Sequence, residues 1–192
     1  MNVIYESLKA PEINSSEILR YARSRSTAEI EELISSVISE CQNELSYNVS
    51  YLITDVTAEN DIVTLGSTKV CSADLSKCLD GYKKAVILGA TIGSGIDRLI
   101  GKYSRLQPSR ALILQAFGAE RIESLCDALC SKIETDLGVK VGPRFSAGYG
   151  DLSLDFQKNI FNILRCEKIG LMLNQSLSMS PSKSVTAIAG LK

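Results

Sequence analysis

RFSAGYGDLSLDFQ (residues 144–157) and LNQSLSMSPSKSVTAIAG (residues 173–190) are the most informative stretches of this 192-residue sequence. The first begins inside a glycine-rich loop, residues 142–151, that follows a long helical pattern. Gly148 and Gly150 let the backbone approach a ligand closely, and Arg144 and Tyr149 supply a cation, an aromatic ring and a hydroxyl group. These residue types predict a binding loop. Composition alone equally allows a plain connection between two helices that needs glycines for its turns.

Two motifs in these stretches resemble the activation domain of cobalamin-dependent methionine synthases. That family has an Arg-x-x-x-Gly-Tyr loop, then a helix, then a Ser-x-x-Met-x-Pro-x-x-Ser-Val segment. The same order occurs here, at Arg144, Gly148 and Tyr149 and then at Ser176, Met179, Pro181, Ser184 and Val185. The similarity extends upstream through GATIGSGIDRLI (89–100), QAFGAERIESLCDAL (115–129) and, more weakly, SSEILRYARS (15–24). It covers most of the chain, which is therefore identified as a free-standing form of that domain.

The resemblance implies an α+β fold, with a mixed or antiparallel sheet flanked by helices, in one domain spanning residues 1–192. Within it, residues 1–46 are expected to form a helical N-terminal part and residues 47–192 the main α+β body. In the N-terminal part, Ser15 and Ser16 predict the start of one helix, and a capping box of Ser26 and Glu29 predicts the start of a longer one.

The main body alternates strand and helix patterns. Segments rich in β-branched residues predict strands over 47–57 and 60–68, and the apolar run at 83–90 predicts a buried strand. Pro108 begins the longest helix, roughly 109–136, whose apolar periodicity puts Leu112 and Ile122 on its inner face. A further helix is predicted over about 154–165, and extended segments follow with a turn at Pro181.

The ligand that the resemblance implies is S-adenosylmethionine. In the family, the Arg-x-x-x-Gly-Tyr loop holds its adenosyl and methionyl parts, a role that falls here to Arg144, Ser146, Gly148 and Tyr149. A glutamate on the long helix serves the ligand's amino group in the family, and the best match is Glu123. Larger members continue past the Ser-Val strand to a further tyrosine contact, which we expect to be missing in a sequence that ends at Lys192.

Four acidic residues lie along one stripe at the border of the long helix's apolar face, because spacings of three, four and seven residues superpose. They are Glu120, Glu123, Asp127 and Glu134. A carboxylate in this position can meet an ammonium or sulfonium group. For Glu120, Asp127 and Glu134 we predict a solvated acidic edge instead, and the resemblance alone selects Glu123 for ligand binding.

The function that the resemblance implies is reductive methylation of a partner's cob(II)alamin, with S-adenosylmethionine as methyl donor. A cobalamin-binding methionine synthase or another corrinoid protein would carry the cobalamin, and an external reductant such as a flavodoxin would supply the electron. The chain alone is not expected to turn over substrate. One alternative is a docking module for a corrinoid protein that does not bind S-adenosylmethionine. Another is an independent methyltransferase, which the lack of a class I methyltransferase glycine motif disfavours.

Composition excludes several other classes. A formal charge of −1 provides no footprint for nucleic acid, and no apolar run approaches the length of a membrane span. Six cysteines without CxxC spacing, and an N-terminus unlike a signal peptide, predict free thiols in the cytoplasm. The absence of histidine removes the commonest general base and disfavours a serine hydrolase.

Two further patterns receive structural interpretations. Gly89, Gly93 and Gly95 follow a strand and open a helix, but their spacing fits neither a dinucleotide nor a Walker loop, so tight packing explains them better. Cys126 and Cys130 share a helix face, but no further cysteine or histidine cluster completes a tetrahedral metal site, so we predict buried apolar side chains.

Overall fold

A computed structural model describes residues 2–192 and shows a curled antiparallel sheet with helices on both faces. Strands β1 to β8 cover Ile4–Ser7, Asn48–Glu59, Ile62–Leu65, Thr68–Cys71, Lys84–Thr91, Met172–Leu173, Met179–Ser180 and Ser184–Leu191. The main sheet has the order β4-β3-β2-β5-β8, and β1 pairs with β2 beside the start of that strand. Every pairing is antiparallel. The short β6–β7 hairpin stands apart from this sheet.

Within residues 2–192, six α-helices flank the sheet. Helices α1 to α6 cover Ser15–Ala22, Ala28–Cys41, Ala73–Cys78, Gly95–Leu106, Pro108–Leu137 and Phe156–Leu164. Alternate residues of β5 point to opposite faces, so Val86 and Leu88 join one apolar core with α1, α2, α4 and α5. Ala85 and Ile87 join the other core with α3, α6 and the 3-10 turn Cys166–Ile169. No helix in residues 2–192 has the length and apolar character needed to cross a membrane.

Helix α5 is the element on which the N-terminal helices pack. Pro108 stands at its first turn, and Gly138 ends it in the left-handed conformation at φ 64°, as the sequence predicted. The prediction that Leu112 lies on the inner face of the helix is wrong. Leu112 is 53% exposed, whereas the next two residues, Ile113 and Leu114, are buried. The buried surface of α5 is broader than one stripe. The apolar periodicity therefore did not predict correctly which residues near the start of the helix are buried.

The N-terminal part differs from the sequence prediction in three respects. Residues 1–46 were predicted to be helical, but Ile4–Ser7 forms strand β1, an edge strand too short for its alternation to be recognised. Asn14, rather than Ser15 or Ser16, caps α1 through its side-chain oxygen. Thr27 caps α2 by accepting a hydrogen bond from the Ile30 amide, so the predicted capping box at Ser26 is wrong by one residue.

Glu120 is not on a solvated edge, which corrects the prediction made for it. It is 2% exposed and forms a bidentate ion pair with Arg121, which is 1% exposed. Arg121 also donates to the carbonyl oxygens of Pro11 and Glu12, at 2.7 and 2.5 Å. The long helix approaches the N-terminal segment closely, and this pair supplies the polar contacts that join the two.

The glycines between β5 and α4 serve packing against the segment before β2. A Cβ atom at Gly95 would lie 1.9 Å from the Glu44 carbonyl oxygen, and one at Gly93 would lie 2.5 Å from Ser46 Oγ. Gly93 also has a φ of +81°, which favours glycine. The neighbour is therefore protein rather than a nucleotide phosphate.

Candidate functional site

A cavity of about 980 Å³ lies where helix α5, the glycine-rich loop, the start of α6 and the β6–β7 hairpin meet at strand β8. One wall is charged and comes from α5, with Glu123, Asp127 and Glu134. The lining also contains apolar residues, among them Leu154, Leu177 and Met179. Strand β8 contributes Ser184, Val185 and Thr186.

The glycine-rich loop reaches this position because it runs antiparallel along the free edge of β8. Phe145 and Ile188 exchange two backbone hydrogen bonds of 2.8 Å, and the Gly142 amide donates to the Gly190 carbonyl at 2.8 Å. The ring of Tyr82 packs against both glycines, and a Cβ atom at Gly190 would lie 2.4 Å from it. These contacts carry the chain from α5 on one sheet face to α6 on the other.

Arg144 binds two carboxylates of α5. Its Nη2 lies 2.6 Å from Glu123 Oε2 and its Nη1 lies 2.5 Å from Asp127 Oδ1. Burial lowers the pKa of the Arg144 guanidinium, but the hydrogen bond to Asp127 and the surrounding negative charge outweigh burial and raise it. Arg144, Glu123 and Asp127, which we call the Arg144 cluster, therefore form a group of one guanidinium and two acidic side chains on the wall of the cavity.

The last residues of the loop are fastened to the start of α3. Asp151 accepts hydrogen bonds from the amides of Ala73 at 2.7 Å and Asp74 at 3.2 Å, and from the hydroxyl of Ser72. These bonds, that of Ser72 first, lower the pKa of the Asp151 carboxyl. Gly150, at φ +53°, passes so close to Asp74 that a Cβ atom would lie 2.3 Å from its Oδ2. The loop is thus anchored at both ends.

The structure brings four of the five predicted ligand residues to the cavity. Glu123, Arg144, Ser146 and Tyr149 line it. Gly148 does not line it; at φ +89° it turns the loop and donates from its amide to the Leu152 carbonyl. Tyr149 is 69% exposed at the rim, and the hydroxyl of Ser146 has no hydrogen-bond partner within residues 2–192. Both side chains are therefore free to contact a ligand.

The second motif contributes both to the cavity and to its support. Met179, Ser184 and Val185 line the cavity. Ser184 Oγ also lies 2.8 Å from both Thr91 Oγ1 and the Pro181 carbonyl oxygen, which fixes the start of β8. Ser176 bonds Asn174 within the hairpin turn and does not line the cavity.

Sequence reasoning missed several residues of this site. Asp127 is 71% exposed at its side chain, as a solvated edge predicts, yet it also binds Arg144 and lines the cavity. Its position one helical turn after Glu123 was the available indication. Glu134 lines the cavity and accepts a hydrogen bond from the Val141 amide at 2.9 Å. Gln157, buried at the start of α6, also lines the cavity, and no pattern indicated it.

The thiols near the cavity are neutral. Burial raises the pKa of Cys126, which packs in the core, and that of Cys130, whose Sγ lies 4.0 Å from Arg144 Nη1. Within the described residues, no group of three cysteine, aspartate, glutamate or histidine side chains has the geometry to hold a metal ion. The residues that line the cavity offer charge, hydrogen-bonding groups and apolar surface for recognition.

Comparison with known proteins identifies the fold. No protein-family model matches the sequence, and no curated protein matches it. Among solved structures, the crystal structure of the MetH reactivation domain bound to AdoHcy matches with a TM-score of 0.75 and 11% sequence identity. The match covers 99% of this chain and 78% of that one. The predicted α+β architecture is confirmed: this chain has the fold of the MetH reactivation domain.

Proposed function

We propose that this chain binds S-adenosylmethionine in the cavity beside the Arg144 cluster and supports reductive methylation of a corrinoid held by a partner protein. The observation that carries the proposal is the Arg144 cluster itself. It joins a residue of the predicted binding loop to Glu123, the acid selected from the long helix. The matching structure is of a domain bound to AdoHcy, the demethylated form of the same ligand.

The charges of the cluster fit the ligand. Glu123, Asp127 and Arg144 sum to −1, whereas S-adenosylmethionine carries one sulfonium, one ammonium and one carboxylate and sums to +1. The Arg144 guanidinium suits the ligand's carboxylate, and the two carboxylates of the cluster suit its cationic groups. These three side chains bind one another in the structure. We therefore infer that ligand binding replaces these contacts with contacts to the carboxylate and the cationic groups of the ligand.

The rest of the cavity fits the adenosyl part. Its volume of about 980 Å³ is within the range for small-molecule sites. Leu154 and Met179 offer apolar surface to a purine, and the exposed ring of Tyr149 stands at the rim. The unpaired hydroxyl of Ser146 offers a hydrogen bond to a ribose.

The chain's own role in methylation is orientation. When bound, S-adenosylmethionine supplies its sulfonium methyl group to the reduced cobalt of the partner's corrinoid, after an external reductant has supplied an electron. The protein needs no general acid or base for this, which is consistent with a chain that has no histidine. Tyr149 and Leu154 line the cavity and are exposed, and we infer that this part of the lining faces the partner.

Calorimetric titration with S-adenosylmethionine tests the proposal, using the wild type, Glu123→Gln and a control, Glu32→Gln. Glu32→Gln makes the same change in net charge as Glu123→Gln. Glu32 is exposed on α2 and does not line the cavity, so the control leaves the cavity unchanged. We expect Glu123→Gln to weaken binding about tenfold or more, since it removes a charged hydrogen-bond partner. The control should bind like the wild type.

Three outcomes contradict the proposal. Absence of binding by the wild type at millimolar ligand excludes it and favours the docking module, which needs a corrinoid partner but no S-adenosylmethionine. Equal weakening in both variants means that net charge, rather than the Arg144 cluster, governs binding. If the wild type instead methylates a small molecule without any corrinoid protein present, the chain is an independent methyltransferase.

A further inference from the structure

Gln157 is a buried carboxamide at the cavity wall with no partner for its side chain. It lies in the first turn of α6 and is 4% exposed. Its backbone amide donates to the Leu154 carbonyl, but its side-chain amide makes no hydrogen bond with any of residues 2–192. In those residues, Ser50 Oγ is the one side-chain polar atom that is both fully enclosed and without a partner. The side-chain amide of Gln157 also lacks a partner, so it is not fully enclosed. It faces open space, which for this residue is the cavity.

Folding does not account for this amide. Helix α6 has no side-chain cap, so Gln157 does not serve its N-terminus. Its immediate neighbour Phe156, and Ile160 one turn later, belong to the apolar core on this face of the sheet. A leucine would suit the position, because its neighbours are apolar and the amide makes no hydrogen bond within residues 2–192. The partner of Gln157 is therefore expected to come from a ligand.

The position of Gln157 indicates which part of a ligand it meets. The carboxylates of the cavity come from α5, whereas Gln157 and the apolar Leu154 form a wall of the cavity at the start of α6. An aromatic base suits that wall better than a charged group does. A carboxamide presents a donor and an acceptor side by side, which matches the 6-amino group and the adjacent ring nitrogen of adenine.

We propose that the side-chain amide of Gln157 pairs with the edge of the adenine base that carries the 6-amino group, and so determines the purine specificity of the site. This proposal rests on the proposed function, because it assumes an adenosyl ligand in the cavity. It assigns the two ends of that ligand to different elements: the amino-acid end to the Arg144 cluster, whose two carboxylates lie on α5, and the base to α6.

The test is a cycle of two ligands and three proteins. The ligands are S-adenosylhomocysteine and its analogue with hydrogen in place of the 6-amino group. The proteins are the wild type, Gln157→Leu and a control, Gln115→Leu, at an exposed position of α5 outside the cavity. We expect the wild type and the control to prefer the amino ligand about tenfold, the discrimination typical of one bidentate amide–adenine pair. Gln157→Leu should bind both ligands equally.

Thermal unfolding without ligand supplies the second readout. Gln157→Leu should unfold at the same temperature as the wild type or higher, because it replaces an unpaired buried amide with an apolar side chain of similar size. Loss of discrimination together with retained stability supports the proposal.

Four outcomes overturn the proposal, and they can be told apart. If Gln157→Leu keeps the wild-type affinity for both ligands and therefore the preference for the amino ligand, the amide does not contact that edge. If it weakens both ligands by the same factor, Gln157 shapes the cavity without reading the base. If the wild type binds neither ligand, the proposed function fails as well, whereas binding without discrimination contradicts only the present proposal.

Discussion

Glu120→Ala is expected to destabilise the protein strongly, because Glu120 is the counter-ion of a buried arginine. Its two carboxylate oxygens accept from Arg121 Nε and Nη2, each at 2.5 Å, and also from the Ser124 hydroxyl at 2.8 Å and the Asn14 amide at 3.1 Å. Truncation to alanine removes all four acceptor contacts. Arg121 then remains charged at 1% exposure without its carboxylate counter-ion, while the carbonyl oxygens of Pro11 and Glu12 still accept from it.

Breaking a buried ion pair by removing one partner costs about 3–5 kcal/mol of unfolding free energy. For a chain of this length, each kcal/mol lowers the melting temperature by about 2–4 °C, so a drop of about 6–20 °C is expected. Replacing both residues, in the double variant Glu120→Leu with Arg121→Met, removes the uncompensated charge. That variant should be more stable than Glu120→Ala, although it leaves two N-terminal carbonyl groups without their donor.

Urea unfolding followed by circular dichroism measures these differences, with Glu32→Gln as a control for the loss of one surface carboxylate. A cost below about 1 kcal/mol for Glu120→Ala, the range of an exposed ion pair, would refute the reasoning. The same conclusion would follow if the double variant were less stable than Glu120→Ala, because the instability would then not arise from the unpaired charge.

Two further predictions concern the close approaches around the sheet. Gly95→Ala should cost about 1–3 kcal/mol, because its Cβ would lie 1.9 Å from the Glu44 carbonyl oxygen. Gly101→Ala in the same helix, with open space around its Cβ, should instead stabilise by roughly 0.5–1 kcal/mol, and equal urea midpoints for the two would contradict this packing. Asp151→Asn should weaken the anchor to α3 in a pH-dependent way, because the folded-state pKa of Asp151 lies below its ordinary value. The contribution of Asp151 is then fully present above about pH 4–5 and is lost as the pH falls through the lowered pKa, so urea midpoints of the wild type and the variant should converge only in acid. A pH-independent difference would contradict the assignment.

Much of the scaffold follows from local patterns. The apolar periodicity of α5, with Pro108 at its start and Gly138 at its end, defines a helix that the structure extends by only a residue at each end. The run at 83–90 became β5, the buried strand between β2 and β8. These elements were predictable because helical and strand periods, proline and glycine act over a few neighbouring residues.

By itself, the sequence determined the α+β class, the glycine-rich loop and the choice of Arg144 and Tyr149 as residues of interest. Only the tertiary structure decided that Arg144 binds Glu123 and Asp127, that Glu120 is buried against Arg121, and that Gln157 stands unpaired at a cavity wall. Side chains such as these meet through the antiparallel course of the loop along β8 and the packing of the N-terminal segment on α5. Such contacts join residues far apart in the chain, and their geometry depends on the whole packed core rather than on any local pattern.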